Sequence, residues 1–497
     1  MAVPYNIPPR PLLPNGNFLR VVSLREPGRN LSATRPRFSW PHLVLHPLLG
    51  RAENGGRGGQ AAPAAVLRYT LQGDRRPPAP SKEHALSAST NDRPEPRITT
   101  LPNGLPPSFH LLAKPTGASC NLDCAYCFFL GKEGLYPGTT PRMSEATLEQ
   151  YIRQLLESHR TPEVTIAWQG GEPTLMGLKF FRRAVELGKQ YARPGQTVVH
   201  TIQTNGTKIN GDWARFFAES GFLVGLSIDG PRELHDAYRR DKAGKPVFDK
   251  VMRGLDALRE RGVDWNSLTT INAANEDHPV EVYEFLRDDC GCEFIQLIPI
   301  VERPCEDGVP YGYEVTDRSV SPEGWGAFLN GVFDQWVRRD VGKVFVQFFD
   351  VALANWYGEP SGLCVHTASC GTALAMEFNG DVYACDHFVE PAYLRGNIHE
   401  THLAELVSVK QQHMFGNGKQ TALPQYCLDC DVRFACHGGC VKDRIRHAPD
   451  GQPGLNYLCP DYKAFFHHVD APMKRMCELL GEQRAPADIV AEYQARD

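Results

Sequence analysis

Cys120, Cys124 and Cys127 stand in the stretch Cys120-Asn-Leu-Asp-Cys124-Ala-Tyr126-Cys127, a C-x3-C-x2-C spacing directly after a short apolar run at 109–114. Three thiolates on one tight loop can hold three irons of a four-iron, four-sulfur cube. Full cysteine ligation of such a cluster takes four thiolates, so the fourth iron stays open to a small molecule. That arrangement suits reactive chemistry better than electron storage. The plain alternatives are a zinc knuckle or a set of buried thiols. A second array follows far downstream: Cys364, Cys370, Cys385, Cys427, Cys430, Cys436, Cys440 and Cys459. Eight thiolates are the number for two fully ligated four-iron clusters. Zinc competes here too, because C-x2-C pairs such as Cys427/Cys430 also build tetrahedral zinc sites.

The elements around the first motif alternate. The pattern predicts strands at 109–114, 164–168, 198–203, 223–228, 265–271 and 294–300. Helical patterns fall at 144–158, 178–192, 212–220, 248–261, 280–287 and 321–339. Strands separated by helices of this length imply right-handed crossovers and a parallel sheet, open or closed into a partial barrel. In parallel barrels function gathers at the C-terminal ends of strands. The second strand is followed by Gln169-Gly170-Gly171-Glu172-Pro173-Thr174. Its glycines allow a close backbone approach to a ligand, and its carboxylate can take an ammonium group. The third strand ends in Gln203-Thr-Asn-Gly206, the fourth in Ser227-Ile-Asp-Gly-Pro231, with His235 and Arg239 beyond.

At these residues the sequence resembles the radical S-adenosylmethionine (SAM) superfamily, in which the open iron chelates SAM and SAM cleavage yields a hydrogen-abstracting 5′-deoxyadenosyl radical. The resemblance implies a partial (β/α)6 barrel. It implies that Cys120, Cys124 and Cys127 hold the SAM cluster, and that Tyr126, Gly170, Gly171, Glu172, Ser227 and Arg239 surround SAM, Glu172 taking its amino group. The other reading of Arg239 is a surface helix charge beside Arg240 and Lys242. The downstream array resembles the cysteine-rich SPASM domain, since a radical-generating cluster gains a use for nearby electron acceptors. Within that group, Lys114-Pro115, the two motifs above, Cys385-Asp386, Arg395-Gly-Asn-Ile398 and Asn456-Tyr457 are similar to the anaerobic sulfatase-maturating enzymes. That resemblance implies two auxiliary clusters, one on Cys364, Cys370, Cys385 and Cys440, the other on Cys427, Cys430, Cys436 and Cys459. It also implies oxidation of a sulfatase Cys or Ser to Cα-formylglycine, a reduced electron donor of flavodoxin or ferredoxin type, and a base for the substrate proton. Asp350, closing the apolar run Phe345-Val-Gln-Phe-Phe-Asp350, is read as that base; the other reading, compatible with the first, is a cap for a helix starting at Val351. Phe129 is a departure, because some relatives carry Tyr there.

Composition bounds the rest. The chain has 497 residues, enough for two to four domains, and a formal charge of −5, which argues against nucleic acid as the main partner. No apolar stretch is long enough to span a membrane, and the start lacks the apolar core of a signal peptide, so a cytoplasmic location is expected. Fifteen cysteines are many for a reducing compartment, where clustered thiols are more often ligands than disulfides. Cys290, Cys292, Cys305 and Cys477 lie outside the clusters and are read as buried inert thiols. Residues 1–105 are rich in Pro, Gly and Arg, with about 14 basic against about 6 acidic residues, and are expected to be a disordered basic extension. The barrel is expected at 106–340, the SPASM domain at 341–470 and a helical tail at 471–497. Two rival functions share these residues: a SPASM enzyme acting on a small precursor peptide, and a non-catalytic iron–sulfur or zinc protein.

Overall fold

The structure, a computed structural model, describes residues 101–106, 108–306 and 308–495. The expected disordered extension at 1–105 therefore lies almost wholly outside the described residues. Six strands run parallel in chain order: β1 (His110–Lys114), β2 (Glu163–Trp168), β3 (Thr197–Thr204), β4 (Leu223–Ser227), β5 (Trp265–Ile271) and β6 (Phe294–Pro299). Their helices are α1 (Glu145–Ser158), α2 (Leu178–Tyr191), α3 (Gly211–Ser220), α4 (Arg232–Tyr238), α5 (Phe248–Glu260), α6 (Pro279–Glu284) and α7 (Gly324–Arg339). This is the expected partial barrel. β4 and β5 are buried along nearly their whole length, as parallel strands covered by helices must be. Ser144 caps α1, its Oγ accepting the Thr147 N–H at 3.0 Å. The predicted helix at 280–287 is shorter and ends in a π turn, Phe285–Asp289.

The sheet does not stop at the barrel. After a small hairpin, β7 (Cys305–Glu306) and β8 (Val309–Pro310), the two-residue β9 (Phe345–Val346) pairs with β6. At the other edge β10 (Ala373–Glu377) pairs parallel with β1, and β11 (Asp381–Tyr383) and β12 (Leu394–Asn397) extend it antiparallel. The cysteine-rich region thus shares a ten-stranded sheet with the barrel. Its helices are α8 (Gln347–Trp356), α9 (Leu403–Ser408), α10 (Lys410–Thr421), α11 (Gln425–Leu428), α12 (Arg433–Cys436) and α13 (Cys459–Gly481). The expected division at 470 falls inside α13, which runs unbroken for 23 residues through Pro472.

Candidate active site

Three anchors shape the Cys120–Cys127 loop. On one side the Gly171 N–H donates to the Gly117 carbonyl at 2.8 Å and the Glu172 N–H to the Ser119 carbonyl at 2.9 Å. The glycine requirement has its cause here. A Cβ on Gly171 would lie 2.0 Å from the Ser119 oxygen, and Gly170 sits at φ +122°. The close approach is to the cysteine loop itself, where the sequence suggested a ligand. On the other side the Asp123 N–H donates to the Arg240 carbonyl (2.8 Å) and the Ala125 N–H to the Tyr238 carbonyl (3.0 Å).

The third anchor is made of side chains. The Tyr126 hydroxyl donates to Asp229, which also accepts two hydrogen bonds from Arg239, Nε to Oδ2 at 2.7 Å and Nη2 to Oδ1 at 3.1 Å. Arg239 is buried, so the surface-charge reading falls. Burial alone would push the Asp229 carboxyl up, but the Arg239 charge and hydrogen bonds outweigh it and hold the group below its ordinary value. Glu172 is fully buried. Its Oε1 accepts from the Thr174 N–H and the Thr174 and Thr204 hydroxyls, and its Oε2 from the Asn205 N–H. The remaining acceptor capacity lies on Oε2. Burial raises its pKa, against the pull of these donors. The Asn205 side chain then reaches the loop, donating to Cys120 Sγ at 3.7 Å and Asn121 Oδ1 at 3.1 Å. Asn205 and Asp229 were not singled out from the sequence, although both lie in strand-end segments that were. Ser227, at the end of β4, accepts from Gln203 Nε2 at 3.1 Å.

The downstream cysteines gather in two neighbourhoods. Burial raises the Cys385 thiol, and Cys364 and Cys440 raise it further; Cys364 acts on Cys370 as well. In the other quartet burial pushes Cys436 to about 12, with Cys459, Cys427 and Cys430 adding to it, and these four line one recess. Cys120 and Cys124 are likewise pushed to about 12, first by burial. Burial keeps these thiols protonated unless a bound metal supplies compensating charge. No cysteine is in a disulfide. Among the described residues, no group of three or more Cys, His, Asp or Glu is placed to hold a single metal ion. Cys290 and Cys292 are buried as expected; Cys305 is exposed on the β7–β8 hairpin and Cys477 half-buried, so the inert-core reading fails for Cys305.

Asp350 is half-buried in the first turn of α8. It is not the N-cap of α8, which is Val346, four residues earlier, because the apolar run gives only two strand residues before the helix begins. A second carboxylate adjoins a cysteine in the chain. Asp386 follows Cys385 directly and pairs with Lys114 at 2.7 Å, while the buried Lys114 ammonium lies 4.3 Å from the Phe129 ring centroid. Neither Asp386 oxygen has a well-directed hydrogen bond. Phe128 in turn meets His387, ring centroids 5.7 Å apart. The Lys114–Asp386 pair therefore joins the tail of the cysteine loop to the first quartet.

Known proteins place this arrangement in a class. A family model described as the radical SAM superfamily matches residues 115–286, and one described as an iron–sulfur cluster-binding domain matches 369–431. A radical SAM barrel carrying a SPASM extension is thus the class that fold and site define. A serine-type anaerobic sulfatase-maturating enzyme of Bacteroides thetaiotaomicron is 46% identical over 391 residues, covering 77% of this chain and 94% of the relative. A cysteine-type enzyme of Clostridium novyi is 33% identical over 361 residues, covering 72% and 94%. A solved structure described as native anSMEcpe with bound AdoMet and Cp18Cys peptide superposes with a TM-score of 0.67 at 30% identity, over 75% of this chain and 99% of that one. The chain belongs to the anaerobic sulfatase-maturating enzymes. It is a radical SAM oxidoreductase of a family that turns a sulfatase Cys or Ser into formylglycine, uses SAM and 4Fe–4S clusters, and acts on a peptide substrate.

Proposed function

We propose that this chain oxidises a serine, in preference to a cysteine, of a sulfatase polypeptide to Cα-formylglycine. The observation that carries this is its 46% identity to a serine-type maturase against 33% to a cysteine-type one. Cys120, Cys124 and Cys127 would hold the open-iron cluster. Gly170, Gly171, Glu172 and Ser227 would line SAM, Glu172 offering Oε2 to its ammonium. Tyr126 and Arg239 would act through Asp229, fixing the loop. Cys364, Cys370, Cys385 and Cys440 would hold one auxiliary cluster, and Cys427, Cys430, Cys436 and Cys459 the other, three clusters in all. When bound, SAM and its cluster supply a hydrogen-abstracting radical. The chain's own task is to hold the substrate side chain, take its proton and keep water out. Asp350 is the carboxylate read from the sequence for the proton. Asp386 is the second reading, favoured by its place beside Cys385 and by buried carboxylate oxygens without a directed hydrogen bond.

The barrel at 106–340 and the auxiliary-cluster region from 341 through α13 would be the working domains, with 1–105 outside the chemistry. The electron donor would be a reduced flavodoxin or ferredoxin, and the setting the cytoplasm, with neither nucleic acid nor membrane as a partner. Among the described residues no helix is long and apolar enough to cross a membrane. The test is anaerobic. Reconstituted, reduced protein receives SAM and a peptide carrying Ser-x-Pro-x-Arg or Cys-x-Pro-x-Arg, and mass spectrometry follows formylglycine and 5′-deoxyadenosine. Both products, faster from serine, are expected. Deoxyadenosine without formylglycine from either peptide would point to a different peptide substrate.

A further inference from the structure

Two cations are sunk among the auxiliary cysteines without an acidic partner. Lys419, on α10, is 0% exposed. Its ammonium donates only to backbone carbonyls, Cys364 O at 2.6 Å and Val365 O at 2.8 Å. The half-buried Arg444 does the same, Nη1 to Lys419 O at 2.6 Å, Nη2 to His437 O at 3.1 Å and Nε to Gly438 O at 3.1 Å. Neither enters an ion pair with a carboxylate among the described residues. Burial holds the Lys419 ammonium below its ordinary value, and the titratable groups that offset this are the thiols of Cys370, Cys364 and Cys440. Those facing Arg444 come from both quartets: Cys427 and Cys436 on one side, Cys370 and Cys440 on the other. Lys442, also beside Cys440, differs: it is neutralised locally by Asp443 at 2.5 Å.

A buried ammonium with no counter-charge is costly, and a chain keeps one only where a negative group sits beside it. We propose that the auxiliary clusters are that group, and that Lys419 and Arg444 set their reduction potentials unequally. Arg444 serves both centres and Lys419 only the one held by Cys364, Cys370, Cys385 and Cys440. This rests on the reading that the two quartets hold clusters. A four-cysteine cluster is negative already, and one more electron deepens the charge, so a nearby fixed cation stabilises the reduced form more and raises the potential. Lys419 then raises the potential of the Cys364-containing centre alone, and Arg444 raises both.

The electron count agrees with a single-electron acceptor. Converting a serine CH2–OH to an aldehyde breaks one C–H and one O–H bond and releases two electrons and two protons. One electron and one proton leave together as a hydrogen atom to the SAM-derived radical. The second proton goes to the carboxylate base. The second electron reduces an auxiliary centre by one unit. Lys419 and Arg444 are positioning residues here, acting through charge alone.

The test is a redox titration of full-length, cluster-loaded protein followed by electron paramagnetic resonance, with iron and sulfide measured on every sample. A Cys385→Ser sample identifies the signal of its own centre. Lys419→Met is expected to lower the one-electron reduction constant of that centre at least tenfold, about 59 mV, and to leave the other within threefold. Arg444→Gln lowers both, and Lys419→Arg restores the unaltered value. An unchanged potential in a fully loaded Lys419→Met sample, or an equal fall at both centres, overturns the proposal. Where Lys419→Met does not retain its clusters, Arg444→Gln decides, and no shift at either centre overturns it. Zinc without sulfide in the unaltered protein would instead overturn the cluster reading beneath it.

Discussion

Arg239 grips Asp229 with two hydrogen bonds inside the barrel, side chains 8% and 1% exposed, and Tyr126 closes the same carboxylate from the cysteine loop. One carboxylate thus ties the end of β4, the segment after α4 and the residue before Cys127 into a single unit. The Thr270 N–H adds a further bond to Asp229 Oδ1 at 3.0 Å, bringing in β5. The loop that presents the three thiolates is therefore fixed by residues more than a hundred positions downstream.

Removing this carboxylate leaves a buried guanidinium unpaired. Asp229→Asn is expected to cost about 3–5 kcal/mol, the range for breaking one side of a buried pair. Denaturant unfolding of the metal-free protein measures it, and a loss below about 1 kcal/mol would refute the assignment. The pH dependence follows from the direction of the shift. Asp229 titrates below its ordinary value in the fold, so its stabilisation is complete above the unfolded carboxyl pKa near 3.9 and is lost only as pH falls through the lower folded value. Between pH 5 and 8 the Asp229 contribution should be flat; a loss already at pH 6 that disappears in Asp229→Asn would contradict it.

Gly171 makes a sharper test of how the loop is held. A methyl group there meets backbone, the Ser119 oxygen at 2.0 Å, and cannot be relieved by turning a side chain. Gly171→Ala should displace the Ser119 carbonyl and with it Cys120, cutting occupancy of the SAM cluster several-fold while both auxiliary clusters load normally. Iron, sulfide and SAM-dependent changes in the resonance signal report this. Full loading with normal SAM cleavage would show that the loop tolerates the shift.

These relationships divide by how local they are. The cysteine spacings and the alternating strands were legible because each depends on near neighbours along the chain. The two quartets rest on resemblance rather than on spacing. The reason for Gly170 and Gly171 was not legible, because the group they approach belongs to another loop. Asp229 and Asn205 were passed over inside segments already marked, since their partners come from three different crossovers. The run at 345–350 was misread for a different reason. Six apolar-rich residues carry no period, and only the buried Phe348, Phe349 and Ala352 face of α8 reveals the helix. Lys419 lies on a helix of ordinary composition, and nothing local marks it as buried.

Cys120→Ala should separate the three clusters functionally. It removes one ligand from the open-iron loop and none from either quartet. SAM cleavage is expected to vanish, while the auxiliary signals and their iron persist. Cleavage at the unaltered rate would mean the radical is generated elsewhere.

The two carboxylates can be told apart by the same assay. Positioned general bases contribute about 10²- to 10⁴-fold. If Asp350 takes the proton, Asp350→Asn cleaves SAM yet loses formylglycine by that factor, and Asp386→Asn does so far less. The reverse pattern is expected if the Lys114–Asp386 pair marks the site. Asp386 has the geometric advantage of standing between the radical loop and the first quartet, its charge steadied by Lys114 at 2.7 Å. Asp350 has the advantage of lying apart from the cluster cysteines along the chain. Iron content must therefore be measured with each variant: a loss of aldehyde in Asp386→Asn counts as proton transfer only where the Cys385 cluster is still loaded. Equal, small effects in both variants would exclude both carboxylates and leave the proton to a group supplied by the peptide.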